Sequence, residues 1–545
     1  MKKHPPILPY DRRKQEKPAR LQAAVAVSDE LRQAIALHQQ GRLGPAETLY
    51  RAILQLRPND FDALHLLGVV MIQKGRPGQA VGLISQALAA NPAHPAAHLN
   101  LGNALQDLRR YEDALASFGR ALELQPDYVE AMNNSGRVLQ DLKRYEDALG
   151  FYSRALRIKP DYGKALANRG IALHHLMRFE EALASYEQAL RATPGDAETL
   201  NNQGAALCAI GRIEEGLACY AQAAQAQPGL ADPHWHDSLI RLLLGDFGQG
   251  WKKHEWRWQT EAFASLRRDF RQPPWLGEES LRGKTILLHA EQGLGDTIQF
   301  CRYAKHVAAA GATVLLEVQT PGLMPLLAKL DGVSQTFVRG EALPDFDCHC
   351  PLLSLPLAFG TTLDTIPADP GYLAAAPERI DAWRAKLGAT ELPRIGLAWS
   401  GNTAHINDRA RSIPLAQFAR LAAGPAQFIS VQQEVRDSDN PTLQAHPEIA
   451  HFGGDLTDFG ETAALIANLD LVVTIDTSVA HLAAAMGKPT WLLLAFMPDW
   501  RWLLDRDDSP WYPTVRLFRQ PGLGDWDGAI ANAGRALAAL IQAAA

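Results

Sequence analysis

The chain has 545 residues, too many for one hydrophobic core, so two to four domains are expected. Its 54 Lys and Arg against 60 Asp and Glu leave a net charge of −6, which offers no basic field to nucleic acid. The five cysteines are too irregular for a disulfide framework, and no apolar run approaches the roughly 18 residues of a transmembrane segment, so a cytoplasmic protein is expected. In chain order, residues 1–26 come first. Met1 to Arg20 is rich in Lys, Arg and Pro without an apolar core, which reads as a disordered tail rather than a signal peptide.

Pro58, Pro92, Pro126, Pro160, Pro194 and Pro228 then recur every 34 residues. In the same register stand Gly68, Gly102, Gly136, Gly170 and Gly204, and the aromatics Phe118, Tyr152, Tyr186 and Tyr220. Small residues let two helices cross closely, aromatics fill between them, and proline ends the second helix. This pattern resembles the tetratricopeptide repeat (TPR), with full units at 27–60, 61–94, 95–128, 129–162, 163–196 and 197–230. A degenerate seventh runs from Ala231 to about Trp258. The resemblance implies a right-handed α-solenoid with a concave groove.

Asn100, Asn134, Asn168 and Asn202 also lie 34 apart, and Leu66 interrupts the series upstream. A primary amide carries one acceptor and two donors, which suits an extended peptide backbone whatever its sequence. The series resembles the TPR half of protein O-linked N-acetylglucosamine transferases, where such a ladder holds the substrate protein. An alternative is that Asn is simply common at this repeat position.

Residues 231–282 form a connector dense in tryptophan: Trp251, Trp256, Trp258 and Trp275. Such a cluster most often packs a solenoid's end against the next domain. Beyond it, apolar runs at Thr285–His289, Thr313–Val318, Ile395–Trp399, Phe428–Val431, Leu471–Ile475 and Thr490–Phe496 alternate with helical segments. That alternation predicts parallel sheets in two α/β units, 283–390 and 391–545, with a cleft between them and ligands where strands end and helices begin.

Three loops concentrate the chemistry. Gly293-Leu-Gly295-Asp296 follows the first strand, with Asp296 expected at the start of a helix Thr297–Ala310. Trp399-Ser400-Gly401-Asn402 opens a polar loop carrying Arg409 and Arg411, which suit bidentate grip of phosphate oxygens. Leu471–Ile475 runs into Asp476-Thr477-Ser478 and then an Ala-rich helix containing His481. Free amides and the dipole make that helix start an anion site. His481 is expected to hydrogen-bond a phosphate or to pack in the core, and Gln432 to meet a ribose or base. Asp345-Phe-Asp347-Cys348-His349-Cys350 places both cysteines on one strand face and His349 on the other, with no fourth ligand nearby, so no metal site is expected there.

Taken together, Gly293-Leu-Gly295-Asp296, Arg409 and Arg411 before Ser412-Ile-Pro, and Asp476-Thr-Ser-Val-Ala-His481 resemble the ADP-heptose–lipopolysaccharide heptosyltransferases over roughly 283–545. That resemblance implies a GT-B fold of two Rossmann-like domains and inverting, metal-independent transfer without a cofactor beyond the nucleotide-sugar substrate. It implies Asp296 as general base, with Asp476, Thr477, Ser478, His481 and the loop of Arg409 and Arg411 binding the nucleotide diphosphate; Asn402 and Gln432 are further nucleotide-sugar candidates. Ser478 stands where the family usually has Gly, and the Pro498-Asp-Trp500-Arg501-Trp502 segment is a second departure. The repeats upstream favour a protein acceptor, and the layout resembles bacterial TPR glycosyltransferases that decorate flagellin. Transfer to a glycolipid or polysaccharide precursor is the alternative, and a non-catalytic TPR adaptor with a degenerate nucleotide domain is a third reading.

Overall fold

The computed structural model describes residues 29–403 and 407–544; the expected tail, residues 1–26, lies outside the described residues. Two compact units divide the chain, Met1–Ala206 and Leu207–Ala545. Among the described residues no helix is long and apolar enough to cross a membrane.

Unit 1 is a TPR solenoid of paired helices. The first pair is 29–39 with Leu43–Leu56, and Phe61–Gln73 with Pro77–Ala90 is the second. Pro95–Asp107 with Tyr111–Leu124, Val129–Asp141 with Tyr145–Ile158, and Gly163–His175 with Phe179–Ala192 continue the series. Each second helix stops two residues before its repeat proline, which cannot continue it. The repeat glycine marks where the helices cross. A Cβ on Gly136 would lie 2.5 Å from the Tyr152 ring, and that buried ring is fixed by its hydroxyl, which donates to Gln140 Oε1 at 2.6 Å. Gly102 meets Phe118 and Gly170 meets Tyr186 in the same way. Gly136→Val is therefore expected to destabilise unit 1 by about 1–3 kcal/mol through overpacking. Helical circular dichroism during urea denaturation checks this, and an unchanged midpoint would mean that the helices can separate at no cost.

Unit 2 opens with helices Ile213–Ala226, Ala231–Leu243 and Phe247–His254, then builds two parallel sheets. Sheet 1 comprises β1 (Thr285–His289), β2 (Thr313–Val318), β3 (Gln335–Val338) and β4 (Cys348–Pro351), in the order β3-β2-β1-β4. Sheet 2 comprises β5 (Arg394–Ala398), β6 (Gln427–Ser430), β7 (Ile449–His451), β8 (Leu471–Ile475), β9 (Thr490–Leu494) and β10 (Val515–Arg519), ordered β10-β9-β8-β5-β6-β7. Alternate residues of sheet 2 face opposite cores. Val472 and Leu492 join the cluster that also holds sheet 1, whereas Val473 and Leu493 pack with Trp399, Phe418 and the C-terminal helix residues Ile530 and Leu537. Burial on both faces is why these strands read as unbroken apolar runs.

The connector belongs to the same core. Trp251, Trp275 and Leu281 cluster with Ile286 and Leu288 of β1, and Trp251 packs edge-on against Trp500 at 5.2 Å while donating its indole N–H to Thr361 O. Beneath β1, Arg257 is fully buried. Its Nη2 donates to both Glu291 oxygens at 3.1 and 3.0 Å and to Ser354 Oγ at 2.8 Å, and its Nη1 to Glu255 Oε1 at 2.7 Å. On β4, Cys348 and Cys350 lie in the core while His349 turns to the other face and meets His289 at 3.1 Å. Among the described residues no group of three His, Cys, Asp or Glu is arranged to hold a metal ion.

Candidate functional site

In an open parallel sheet, ligands bind outside the carboxyl ends of strands where the strand order reverses. In sheet 2 that point lies between β5 and β8, and in sheet 1 between β1 and β4. The three chemically dense loops leave from these points.

At the end of β8, Asp476 and Thr477 lead into the helix Ser478–Ala485. Thr477 is the N-cap residue, yet no side chain caps this helix, and the Thr477 hydroxyl is buried without a partner. First-turn amides are thus left to something other than a capping side chain, which fits an anion. Ser478 is half-buried. His481 is a core residue: it is 5% exposed, its Nδ1 bonds Tyr512 OH at 2.9 Å, and its ring stacks on Trp502 at 5.5 Å. Burial, with help from the charges of Arg501, Arg302 and Arg411, holds its pKa well below the usual range and keeps it neutral. Its Nε2 is 3.9 Å from Asp476 Oδ1, beyond hydrogen-bond range. Of the two expectations for His481, its Nδ1 and ring serve the core, and its Nε2 faces Gly295.

After β5, the two arginines diverge. They occupy a short helix, Asp408–Arg411. Arg409 is exposed, whereas Arg411 folds back over Gly401 and donates from Nη1 to the Asp476 carbonyl at 2.9 Å, joining the β5 and β8 loops. Its Nε is buried without a partner. Asn402 is exposed on the same loop. Gln432 turns inward, contrary to a ribose- or base-binding role: its Oε1 accepts from the amides of Trp399 and Ser400 at 2.6 and 2.8 Å, and its Nε2 donates to Ser400 Oγ and Glu434 O. It braces the loop. A residue with no sequence signal completes that brace, since Arg436 Nη2 contacts both Asp408 oxygens at 2.7 and 2.8 Å and Gly401 O at 2.9 Å.

After β1, the helix begins at Leu294 rather than Thr297, and a 3₁₀ turn at Cys301–Tyr303 separates it from Ala304–Ala309. Asp296 is thus the third helical residue, where its Oδ2 accepts from Gly293 N at 2.7 Å. Gln319 steadies the loop by donating to the carbonyls of Gln292 and Gly293. Gly295 approaches the Asp476 turn so closely that a Cβ would sit 2.8 Å from His481 Cδ2. The two loops therefore meet. The Pro498–Trp502 departure then acquires a place: Arg501 Nη2 donates to Asp296 Oδ1, Nη1 to Asp499 Oδ1 at 2.8 Å and Nε to Gln299 Oε1 at 2.6 Å.

Asp476 is the carboxyl most altered by this setting. Burial raises its pKa above the usual range, the Asp499 charge adds to the rise, and Arg501 and Arg411 oppose it. The indole N–H of Trp502 also favours the charged form of the same carboxylate. The folded protein therefore holds the Asp476 proton more tightly than the unfolded chain. The resulting stabilisation is fully present below the ordinary carboxylate pKa and is lost as pH rises through the raised value. Asp476→Asn is expected to remove that slope, so the variant's melting temperature gains on the wild type as pH is raised from about 4 to about 8. A difference independent of pH would show that Asp476 titrates like an ordinary carboxylate.

In unit 1, the asparagines are tied to one another. Asn168 Nδ2 donates to Asn133 Oδ1 at 3.0 Å, Asn133 to Asn134 at 3.1 Å, and Asn134 to Asn103 at 2.8 Å. Asn100 Nδ2 meets His65 Nε2 at 2.9 Å. Asn202 is half-buried. His65, Asn103 and Asn133 lie off the 34-residue register, so the period alone does not reveal them.

Comparison with known proteins finds matches in both halves. Residues 99–163 and 164–231 match the family Tetratricopeptide repeat, and residues 39–121 match Anaphase-promoting complex, cyclosome, subunit 3. Residues 450–494, which contain Asp476 to His481, match Glycosyltransferase family 9 (heptosyltransferase). Protein FlbA of Caulobacter vibrioides is 27% identical over 331 residues, covering 55% of this chain and 54% of FlbA, so the chain spans about half the length of that curated relative. Among solved structures, a tetratricopeptide repeat protein from Parabacteroides merdae is 16% identical with a TM-score of 0.38, covering 42% of this chain and 91% of its own. Pseudomonas aeruginosa pilF is 19% identical with a TM-score of 0.36, covering 39% and 98%. The chain thus joins N-terminal tetratricopeptide repeats to a parallel α/β region that carries a glycosyltransferase family 9 match.

Proposed function

We propose that the protein is an inverting glycosyltransferase that moves a sugar from a nucleotide-diphosphate donor to a hydroxyl of a protein captured by the repeats. The observation that carries this reading is the uncapped helix start at Asp476–Ser478, which lies at the switch point of sheet 2 and within the family 9 match. Asp296 takes the acceptor hydroxyl's proton as that oxygen attacks the anomeric carbon. The bond from that carbon to the diphosphate breaks, and the charge passing to the leaving group meets the helix amides, Arg411 and Arg409. No step in this scheme draws on a metal ion. Asn100, Asn134, Asn168 and Asn202, with Asn134 and Asn168 oriented by bonds among the asparagines and Asn100 by His65, present amides to an extended segment of the acceptor, a flagellin-like protein among the candidates.

A thermal-shift panel of ADP-, UDP-, GDP-, CMP- and dTDP-sugars tests the donor. The matching sugar at one hundred times its Kd should stabilise the protein by about 2.7 kcal/mol. Stabilisation by none of them, or only by a CMP-sugar, would overturn the diphosphate reading. The Arg501 contact on Asp296 favours a second reading, a non-catalytic adaptor whose base is permanently paired. Turnover of the stabilising donor by purified protein separates the two.

A further inference from the structure

The Pro498–Asp505 segment has no role in the scheme above, yet it is built at some cost. Leu503 adopts φ 51° and ψ −171°, and Asp505 φ 53°, left-handed backbone that side chains other than glycine's rarely take. Such outliers persist where the surroundings over-determine them and concentrate at functional sites. What the segment delivers is Arg501. Its side chain is 8% exposed, its guanidinium lies 4.3 Å over the Trp500 ring, and its three nitrogens engage Gln299, Asp499 and Asp296. The next residue, Trp502, stacks on His481 of the Asp476 helix. Arg501 is therefore placed between the candidate base and the candidate diphosphate site, and its charge is felt at Asp476.

We propose that Arg501 is a diphosphate-responsive latch on Asp296: it pairs with that carboxylate when no donor is bound, and a diphosphate at the Asp476 turn draws it away. The inference rests on the assignments of Asp296 and of the Asp476 turn made above. A guanidinium prefers the two charges and multiple oxygens of a diphosphate to one carboxylate. Nη1 stays on Asp499 as a pivot while Nη2 changes partner. A carboxylate paired with a guanidinium is a poor proton acceptor, and withdrawing that charge makes it a better one. The base is thus switched on only when a leaving group is in place, which limits wasteful attack by water.

Calorimetric titration of the full chain with ADP, UDP, GDP and dTDP provides the test. For the diphosphate that binds the wild type, Arg501→Gln is expected to weaken binding about tenfold or more. Arg501→Lys keeps the buried charge, guarding against a folding defect, and should weaken binding about threefold or more because the fork is lost. Asp296→Asn removes the competitor for Arg501 and should tighten binding about threefold to tenfold. A purely structural Arg501 would not produce that gain. Unchanged affinity in both arginine variants, or an Asp296→Asn protein that binds no more tightly than wild type, would overturn the latch and leave the diphosphate site standing. Failure of the wild type to bind any of the four would overturn the site and the latch together.

Discussion

Asp296→Asn is expected to lower sugar transfer by about 10²- to 10⁴-fold, the range supplied by a positioned general base. An amide oxygen can still accept from Gly293 N and hold the first helical turn, while the amide NH2 then faces Arg501 Nη2 and that contact is lost. What it removes is a group able to take a proton. Rates measured with the donor found by thermal shift, at saturating donor, isolate this effect from binding. Turnover within a few-fold of wild type would exclude Asp296 as the base and direct attention to another acceptor on the same loop.

The second large effect is structural. Arg257→Ala is expected to destabilise unit 2 by about 3–5 kcal/mol, because it strands Glu291, 3% exposed, as an uncompensated buried carboxylate. Replacing both partners, Arg257→Met with Glu291→Leu, should recover most of that loss, since the pair's mutual attraction does little more than offset its desolvation. Tryptophan fluorescence is a clean probe here: all 12 tryptophans of the chain lie between Trp235 and Trp526, within unit 2. An Arg257→Ala midpoint equal to wild type would mean that Glu291 is protonated in the folded state.

The architecture was largely legible in the sequence because two different periods mark it. A 34-residue recurrence of glycine, aromatic and proline specifies the helix pairs, since Gly102, Gly136 and Gly170 must each accept a ring. The runs Thr285–His289, Thr313–Val318 and Leu471–Ile475 coincide with β1, β2 and β8, because strands buried on both faces are continuously apolar. β3, β7 and β10 escaped for the converse reason. β3 and β7 are short, and Gln335-Thr-Phe-Val338 or Val515-Arg-Leu-Phe-Arg519 interleaves polar residues with apolar ones. At the site, sequence order located the loops but not the partners across them. Arg501 lies 205 residues from Asp296, and nothing local in Asp499-Trp-Arg501 announces that contact beyond an unusual density of aromatic and charged groups. Gln432 shows the opposite failure: a polar residue after a strand invites a ligand role, while the backbone amides at Trp399 and Ser400 needed an acceptor first.

The tryptophans of the connector bear on how such a chain can evolve. Because Trp251 and Trp275 fill the same core as β1, the last repeat-like helices are part of the sheet-bearing unit and not detachable packaging. Recombination can add or delete whole 34-residue modules among residues 29–192. A crossover between Phe247 and Leu281 would not yield a shorter protein of the same kind but an open hydrophobic wound. Variation in array length among descendants of this chain should therefore end abruptly upstream of Leu207, and the segment from there onward should be inherited as a block.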